Sequence, residues 1–148
     1  FGDNPFSGII SHFFRDEENA RIAKAYDTLS ELEITHMAHN LTSELSGGQS
    51  KLVDIGRALM GEPELLLLDE PVAGVAGPLA EKIFGNLRKI VSEKGISVFA
   101  IEHNMDFILR RGVDRIIVMD QGKVLMEGTP AEVKDSKDVI EAYLGGAG

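Results

Sequence analysis

Residues 64–102 constrain the fold more than any other part of the chain. The stretch opens with a short apolar run that ends in a carboxylate at Asp69, a pattern typical of a strand buried on both faces. A helical pattern follows, with Pro78 in its first turn and Gly95 at its end. A second strand is predicted over residues 97–102. Since strand, helix and strand in this order form a right-handed parallel unit, the sequence predicts an α/β fold.

The chain upstream of this unit is helical and polar. An amphipathic helix is predicted over residues 17–33, and a second helix over residues 48–60 ends at Gly61. The first helix carries four apolar residues at three- and four-residue steps, which we expect to face inward: Ile22, Tyr26, Leu29 and Leu32. We therefore predict a helical subdomain over residues 1–61 and an α/β region over residues 62–148.

The last third of the chain continues the α/β pattern. A short helix is predicted over residues 105–111, and two short strands flank Asp120-Gln121-Gly122, which is typical of a hairpin. Thr129 and Glu132 have the spacing of a capping box, with Pro130 at the first helical position. A final helix is predicted over residues 137–144.

The composition excludes several classes of protein. The chain has 15 basic and 24 acidic residues, a net charge of −9, which argues against nucleic acid as a partner. Cysteine is absent, which excludes disulfides and thiol chemistry. The apolar runs are much shorter than the ~20 residues of a membrane helix, and no signal-peptide pattern is present. These features favour a cytosolic protein, and a chain that begins with Phe1 is expected to be a piece of a longer one.

The stretch Leu45-Ser46-Gly47-Gly48-Gln49 is the most informative motif. Ser46 can cap the helix that follows, and Gln49 is its partner in a capping box. Glycines leave backbone N–H groups open to a ligand, and a helix N-terminus of this kind suits phosphate. The alternative is a helix cap after a glycine turn, with no ligand.

Two further features follow the predicted strands. Asp69 and Glu70 emerge at the carboxyl end of the first strand, where ligands bind in open α/β sheets. Asp69 could hold Mg²⁺ through water, and Glu70 could orient or deprotonate an attacking water. His103 follows the second strand and could donate a hydrogen bond to a phosphate oxygen. The alternatives are carboxylates that merely begin a loop and a structural histidine.

Together these residues, in this order, resemble the nucleotide-binding domain of ATP-binding cassette (ABC) proteins. Residues 45–49 match the signature motif of that family, residues 65–70 match its Walker B motif with the catalytic glutamate, and His103 falls at its switch histidine. The resemblance covers most of the chain from about Thr42 onward. The C-terminal sequence, including Glu127-Gly128-Thr129-Pro130, is similar to ATPase subunits of branched-chain amino-acid importers.

The resemblance implies the α/β fold of a P-loop NTPase-type domain, with ATP and Mg²⁺ as cofactors. It implies that one cluster acts on ATP held by the opposite subunit of a head-to-tail dimer: Ser46, Gly47, Gly48 and Gln49. Asp69 would help to hold Mg²⁺, Glu70 would polarise the hydrolytic water, and His103 would sense the γ-phosphate. The implied partners are a second ATPase subunit, membrane permease subunits and, indirectly, a solute-binding protein. The protein would be cytoplasmic and peripheral at the inner face of the membrane.

The sequence departs from the family pattern at the phosphate-binding loop. The Walker A motif G-x-x-x-x-G-K-[ST] is absent, because Gly122-Lys123 is the only Gly-Lys pair and Val124 follows it. The chain is therefore expected to be the C-terminal part of an ABC ATPase and inactive by itself. Two smaller departures are Ala76, where the family commonly has an acidic or amide residue, and Asn104, where Asp is frequent.

Three functional hypotheses remain open from the sequence. The first is the ATP-hydrolysing subunit of an importer. The second is a non-transport ABC ATPase, although the long coiled-coil or basic insertions that would favour it are absent. The third is a non-catalytic dimerisation or docking module, which would not require Asp69, Glu70 and His103. His36 and His39 have a helical spacing that could bind a metal, but solvent exposure is the simpler interpretation.

Overall fold

The computed structural model describes residues 5–110 and 112–143, with side chains from Arg15 onward except at position 106. The chain divides into two compact units, Phe1–Ile101 and Glu102–Gly148. The subdomain boundary predicted at residue 61 falls inside the first unit and stays a prediction. The predicted helix ends at residues 111 and 144 lie outside the described residues.

The first unit contains the predicted parallel βαβ arrangement. Strands β1 and β2 pair in parallel, with Leu65 opposite Ser97 and Asp69 opposite Ile101. Two short 3₁₀ helices, Thr35–Met37 and Thr42–Glu44, precede the second helix. The main elements of the unit, in chain order, are α1 (Pro5–Glu31), α2 (Gly47–Leu59), β1 (Leu65–Asp69), α3 (Gly77–Lys94) and β2 (Ser97–Ile101).

Helix α3 begins and ends where the sequence predicts. Pro78 lies in its first turn, where a missing N–H costs no intrahelical hydrogen bond. Gly95 ends the helix in the left-handed conformation, with φ 67°, and its N–H donates to Val91 O. The inward face of α3 joins a buried apolar cluster with residues of α2 and β1, among them Leu52, Ile55, Leu66, Ile83, Leu87 and Ile90.

The β1–β2 sheet is covered on one face only. Leu66 is 4% exposed and packs in the α3 cluster, whereas its neighbour Leu67 is 68% exposed. We call the uncovered side, formed by Leu65, Leu67, Phe99 and Ile101, the open sheet face. The prediction of a strand buried on both faces is therefore wrong for this chain, since Leu65 and Leu67 are both more than half exposed.

The predicted inward stripe of α1 is correct only at its C-terminal end. Leu32 is fully buried and Leu29 is partly buried, but Ile22 and Tyr26 are exposed. Directly after the helix, Leu32 packs against α2, where a β-carbon on Gly56 would lie 3.0 Å from Leu32 Cδ1.

The second unit is a hairpin packed against short helices. Its strands pair antiparallel through Gln121 and Gly122, both at positive φ (46° and 78°), as a tight two-residue turn requires. The predicted capping box is confirmed, because Thr129 Oγ1 accepts from the Glu132 N–H and Glu132 accepts from the Thr129 N–H. The elements are α4 (Met105–Leu109), β3 (Ile116–Asp120), β4 (Lys123–Gly128), α5 (Pro130–Asp135) and α6 (Lys137–Tyr143).

The core of the second unit is a small apolar cluster that joins the hairpin to the last two helices: Ile116, Val118, Val133 and Val139. Across residues 5–110 and 112–143, every helix is too short or too polar to cross a lipid bilayer.

Candidate functional site

The N-terminus of α2 has the predicted capping geometry. Ser46 is extended, with φ −65° and ψ 161°, and its Oγ accepts a hydrogen bond from Gln49 N at 3.3 Å. In return the Ser46 N–H donates to Gln49 Oε1 at 2.8 Å. The reciprocal pair fixes where α2 begins and confirms the capping box.

The two glycines of this motif lie in different surroundings. Gly47 is exposed, and a β-carbon there would meet no atom within 4 Å. Gly48 is buried, and a β-carbon there would lie 2.3 Å from Leu79 Cδ2 and 3.1 Å from Val75 Cγ1. The absence of a side chain therefore leaves space outside the helix at Gly47 and permits close packing at Gly48. Since N–H groups in a first helical turn have no intrahelical acceptor, this N-terminus suits an anion.

Asp69 and Glu70 lie at the carboxyl end of β1, as predicted. Asp69 is the last strand residue and is exposed. Glu70 is half-buried and adopts a positive φ of 44°, which is unusual for a residue other than glycine. Its N–H donates to Ile101 O at 3.0 Å, which ties the turn to the neighbouring strand.

Lys51 is a further residue at this turn that the sequence patterns do not single out. Its Nζ lies 3.3 Å from the main-chain oxygen of Glu70, so that a side chain of α2 contacts the turn after β1. Lysines on polar helix faces are common, and no spacing rule relates positions 51 and 70. Only the packing of α2 beside β1 brings the two together.

His103 follows β2 by two residues, is exposed, and belongs to the second unit. Its placement against Glu70 stays a prediction. Asn104 caps α4, because its Oδ1 accepts from Phe107 N at 3.0 Å. His36 and His39 are exposed, as the sequence predicts, and His39 Nε2 lies 3.2 Å from Tyr26 Oη.

The residues present fit a phosphate-bearing ligand better than a free metal ion. Within the described part of the chain, no three His, Asp or Glu side chains come together as a metal cage. A single carboxylate such as Asp69 suits Mg²⁺ only when water and phosphate oxygens complete the coordination shell. A cleft of about 520 Å³ lies elsewhere, at the amino ends of the strands beside Glu64 and Ile96, and none of the predicted site residues lines it.

Comparisons with known proteins identify the family. Residues 4–73 match the ABC transporter family, and residues 123–148 match the branched-chain amino acid ATP-binding cassette transporter family. The chain is 37% identical to a probable branched-chain amino acid transport ATP-binding protein LivG of Methanocaldococcus jannaschii, over 97% of this chain and 57% of that protein. It is 36% identical to the high-affinity branched-chain amino acid transport ATP-binding protein BraF of Pseudomonas aeruginosa, over 90% of this chain and 52% of that protein.

A solved structure shows the same fold. The crystal structure of the ADP conformation of MJ1267, an ATP-binding cassette of an ABC transporter, matches with a TM-score of 0.76 and 39% identity. The match covers 85% of this chain and 50% of that one. The chain thus spans about half the length of the relatives it matches. The matches to both family models, the relatives and this fold agree, and the chain belongs to the ATP-binding cassette family.

Proposed function

We propose that this chain is the C-terminal part of the ATP-hydrolysing subunit of an ABC importer for branched-chain amino acids. The observation that carries the substrate class is the match of residues 123–148 to the branched-chain amino acid transporter family. The names of both relatives support it, because each is a branched-chain amino acid transport ATP-binding protein.

The first part of the proposed machinery is the N-terminus of α2. Ser46 Oγ and the amides of Gly47 and Gly48 would donate to the terminal phosphate of a nucleotide held by a second ATPase subunit, and Gln49 would keep the cap in place. The open space at Gly47 supports this role, because a phosphate can approach there without meeting a side chain. The sites of a head-to-tail dimer would each combine this helix with the phosphate-binding loop of the partner.

The second part of the proposed machinery is the turn after β1, which would act on nucleotide held by this subunit itself. Asp69 would hold Mg²⁺ through water, and the ion would neutralise charge on the phosphate oxygens. Glu70 would orient the attacking water and accept its proton, and His103 would donate a hydrogen bond to a phosphate oxygen. Closure and reopening of the dimer would move a permease at the inner face of the membrane, with a solute-binding protein as an indirect partner.

The test is Mg·ATP binding and hydrolysis by this chain alone and by the complete subunit that carries a phosphate-binding loop. We expect the chain alone to be inactive, and Glu70→Gln in the complete subunit to lower kcat about 100-fold or more while ATP binding is retained. Glu64→Gln is the matched control, because Glu64 is a carboxylate next to the opposite end of β1 and is exposed, whereas Glu70 is half-buried. Hydrolysis by the chain alone that disappears in Glu70→Gln would contradict the proposal.

Association experiments separate the remaining hypotheses. Copurification of the complete subunit with a membrane permease is expected for an importer and not for a soluble ABC ATPase. Nucleotide-dependent association with a second ATPase subunit is expected for both of these classes. A docking module that does not use nucleotide would associate equally well without ATP.

A further inference from the structure

Glu70 has a backbone conformation that needs support from its surroundings. Its φ of 44° lies in the left-handed region, which side-chain-bearing residues rarely adopt outside constrained sites. The direction of the Glu70 carboxylate depends on this conformation, because a return to negative φ would turn the Cα–Cβ bond away. The groups that hold the backbone of Glu70 therefore also aim its side chain.

Three hydrogen bonds hold the main chain of Glu70, one from its N–H and two to its carbonyl oxygen. The Glu70 N–H donates to Ile101 O of the neighbouring strand at 3.0 Å. The Glu70 carbonyl accepts from Ala73 N at 3.1 Å, which closes a tight turn. The same carbonyl accepts from Lys51 Nζ at 3.3 Å.

The contact from Lys51 differs from the other two in origin and in charge. It comes from α2, the helix that begins at the Ser46–Gln49 cap, whereas the other two arise within the sheet and the turn. The donor is an ammonium group in a partly buried position, so the bond is charge-assisted and stronger than a neutral one. It also links α2, whose N-terminus would face the partner's nucleotide, to the turn that would act on the nucleotide of this subunit.

We propose that Lys51 is a positioning residue for Glu70, which holds the carbonyl of the left-handed turn and so aims the carboxylate at the water. This inference rests on the proposed function, because the aim of the carboxylate matters for turnover only if Glu70 acts on the attacking water. Lys51 itself contacts main-chain oxygen and has no chemical role in the step.

The kinetic test uses the complete ATPase subunit with Lys51→Met, which keeps an unbranched side chain of similar length and removes the charge. We expect kcat to fall about tenfold or more with KM for Mg·ATP unchanged within about twofold, because misplacement of a reacting group by about 1 Å has large effects on rate. Lys51→Arg should restore most of the lost rate. Lys89→Met, which removes an exposed lysine of α3, is the matched control and should leave kcat unchanged. Equal losses in Lys51→Met and Lys51→Arg would overturn the proposal.

A second readout does not depend on turnover. In the 148-residue chain, Lys51→Met should speed amide hydrogen exchange at Glu70 and Ala73 at least fivefold relative to Leu87, in the middle of α3. Unchanged exchange at both amides would overturn the proposal whatever the activity. Exchange could be faster in Lys51→Met while the unmodified complete subunit does not hydrolyse ATP. That result would support the positioning contact and contradict the proposed function.

Discussion

Gly48 and Leu79 approach each other so closely that a β-carbon on the glycine would lie 2.3 Å from Leu79 Cδ2. The contact joins the first turn of α2 to the first turn of α3. A β-carbon on the neighbouring Gly47 would meet no atom within 4 Å. Of the two glycines in the signature motif, Gly48 is therefore the one at which a larger residue would have to displace a packed side chain of this chain.

This difference predicts unequal effects of the same substitution at adjacent positions. Gly48→Val should lower the free energy of unfolding of the first unit by about 1–3 kcal/mol more than Gly47→Val, because only the former overpacks a filled space. Because both variants replace glycine by valine, the change in helix propensity is the same in each. The difference between their free energies of unfolding therefore reports packing. Urea denaturation measures it, and equal effects at both positions would show that Leu79 moves aside freely.

Ala76 offers a stabilising substitution. It is the N-cap of α3 with an extended backbone, φ −60° and ψ 143°, and its side chain makes no capping hydrogen bond. Ala76→Asp should raise the free energy of unfolding by about 1 kcal/mol, since aspartate accepts from the free N–H groups of the first turn. Ala76→Val is the control, because valine tolerates the same backbone but cannot accept. If both variants have the same stability in denaturant titrations, the capping explanation is wrong.

The capping box at α5 should make the second unit sensitive to acid. The backbone N–H of Thr129 donates to Glu132 Oε2 at 2.7 Å and the Thr129 hydroxyl at 2.8 Å, and these hydrogen bonds lower the pKa of the Glu132 carboxyl in the folded chain. Because the folded pKa lies below the unfolded one, the stabilisation is present above the unfolded pKa and is lost as pH falls through the folded value.

In Glu132→Gln, the free energy of unfolding of the second unit should therefore depend less on pH below about pH 5. This window includes the ordinary pKa of a glutamate and the lower values beneath it. NMR titration of the Glu132 carboxyl checks the direction of the shift directly. Glu141→Gln removes one carboxylate from the same unit and serves as the control. An ordinary or raised pKa at Glu132 would contradict the prediction.

The open sheet face predicts self-association of the 148-residue chain. Leu67 is 68% exposed, so Leu67→Thr should weaken association in sedimentation velocity while it changes the free energy of unfolding by only about 0.5 kcal/mol. Leu66→Thr, one residue away but 4% exposed, should cost about 2–4 kcal/mol. Association that is insensitive to Leu67→Thr would place the contact elsewhere.

Features with local signals could be predicted from the sequence. The Ser46 and Thr129 caps, the end of α3 at Gly95 and the Gln121-Gly122 turn each depend on residues within a few positions of one another. The order strand, helix, strand was sufficient for the parallel pairing, because few topologies satisfy it.

Features that depend on distant or missing neighbours could not be predicted. An apolar pattern shows that Leu67 and Tyr26 suit a buried environment, but it does not show whether this chain supplies the covering element, and here both are exposed. The contact between Lys51 and Glu70 has a sequence separation of 19 and needs the packing of α2 to be known. The roles of Ser46, Asp69 and His103 toward a nucleotide stay predictions.

The open sheet face also affects the heat-capacity increment of unfolding of the chain. Leu65, Leu67, Phe99 and Ile101 are each about half exposed or more before any unfolding takes place. Unfolding therefore brings less new apolar surface into water than the length of 148 residues suggests. The heat-capacity increment of unfolding and the urea dependence of the free energy of unfolding both scale with that newly exposed surface. Both quantities should therefore be small for a chain of this length. The stability of the chain will vary with temperature along a flatter curve.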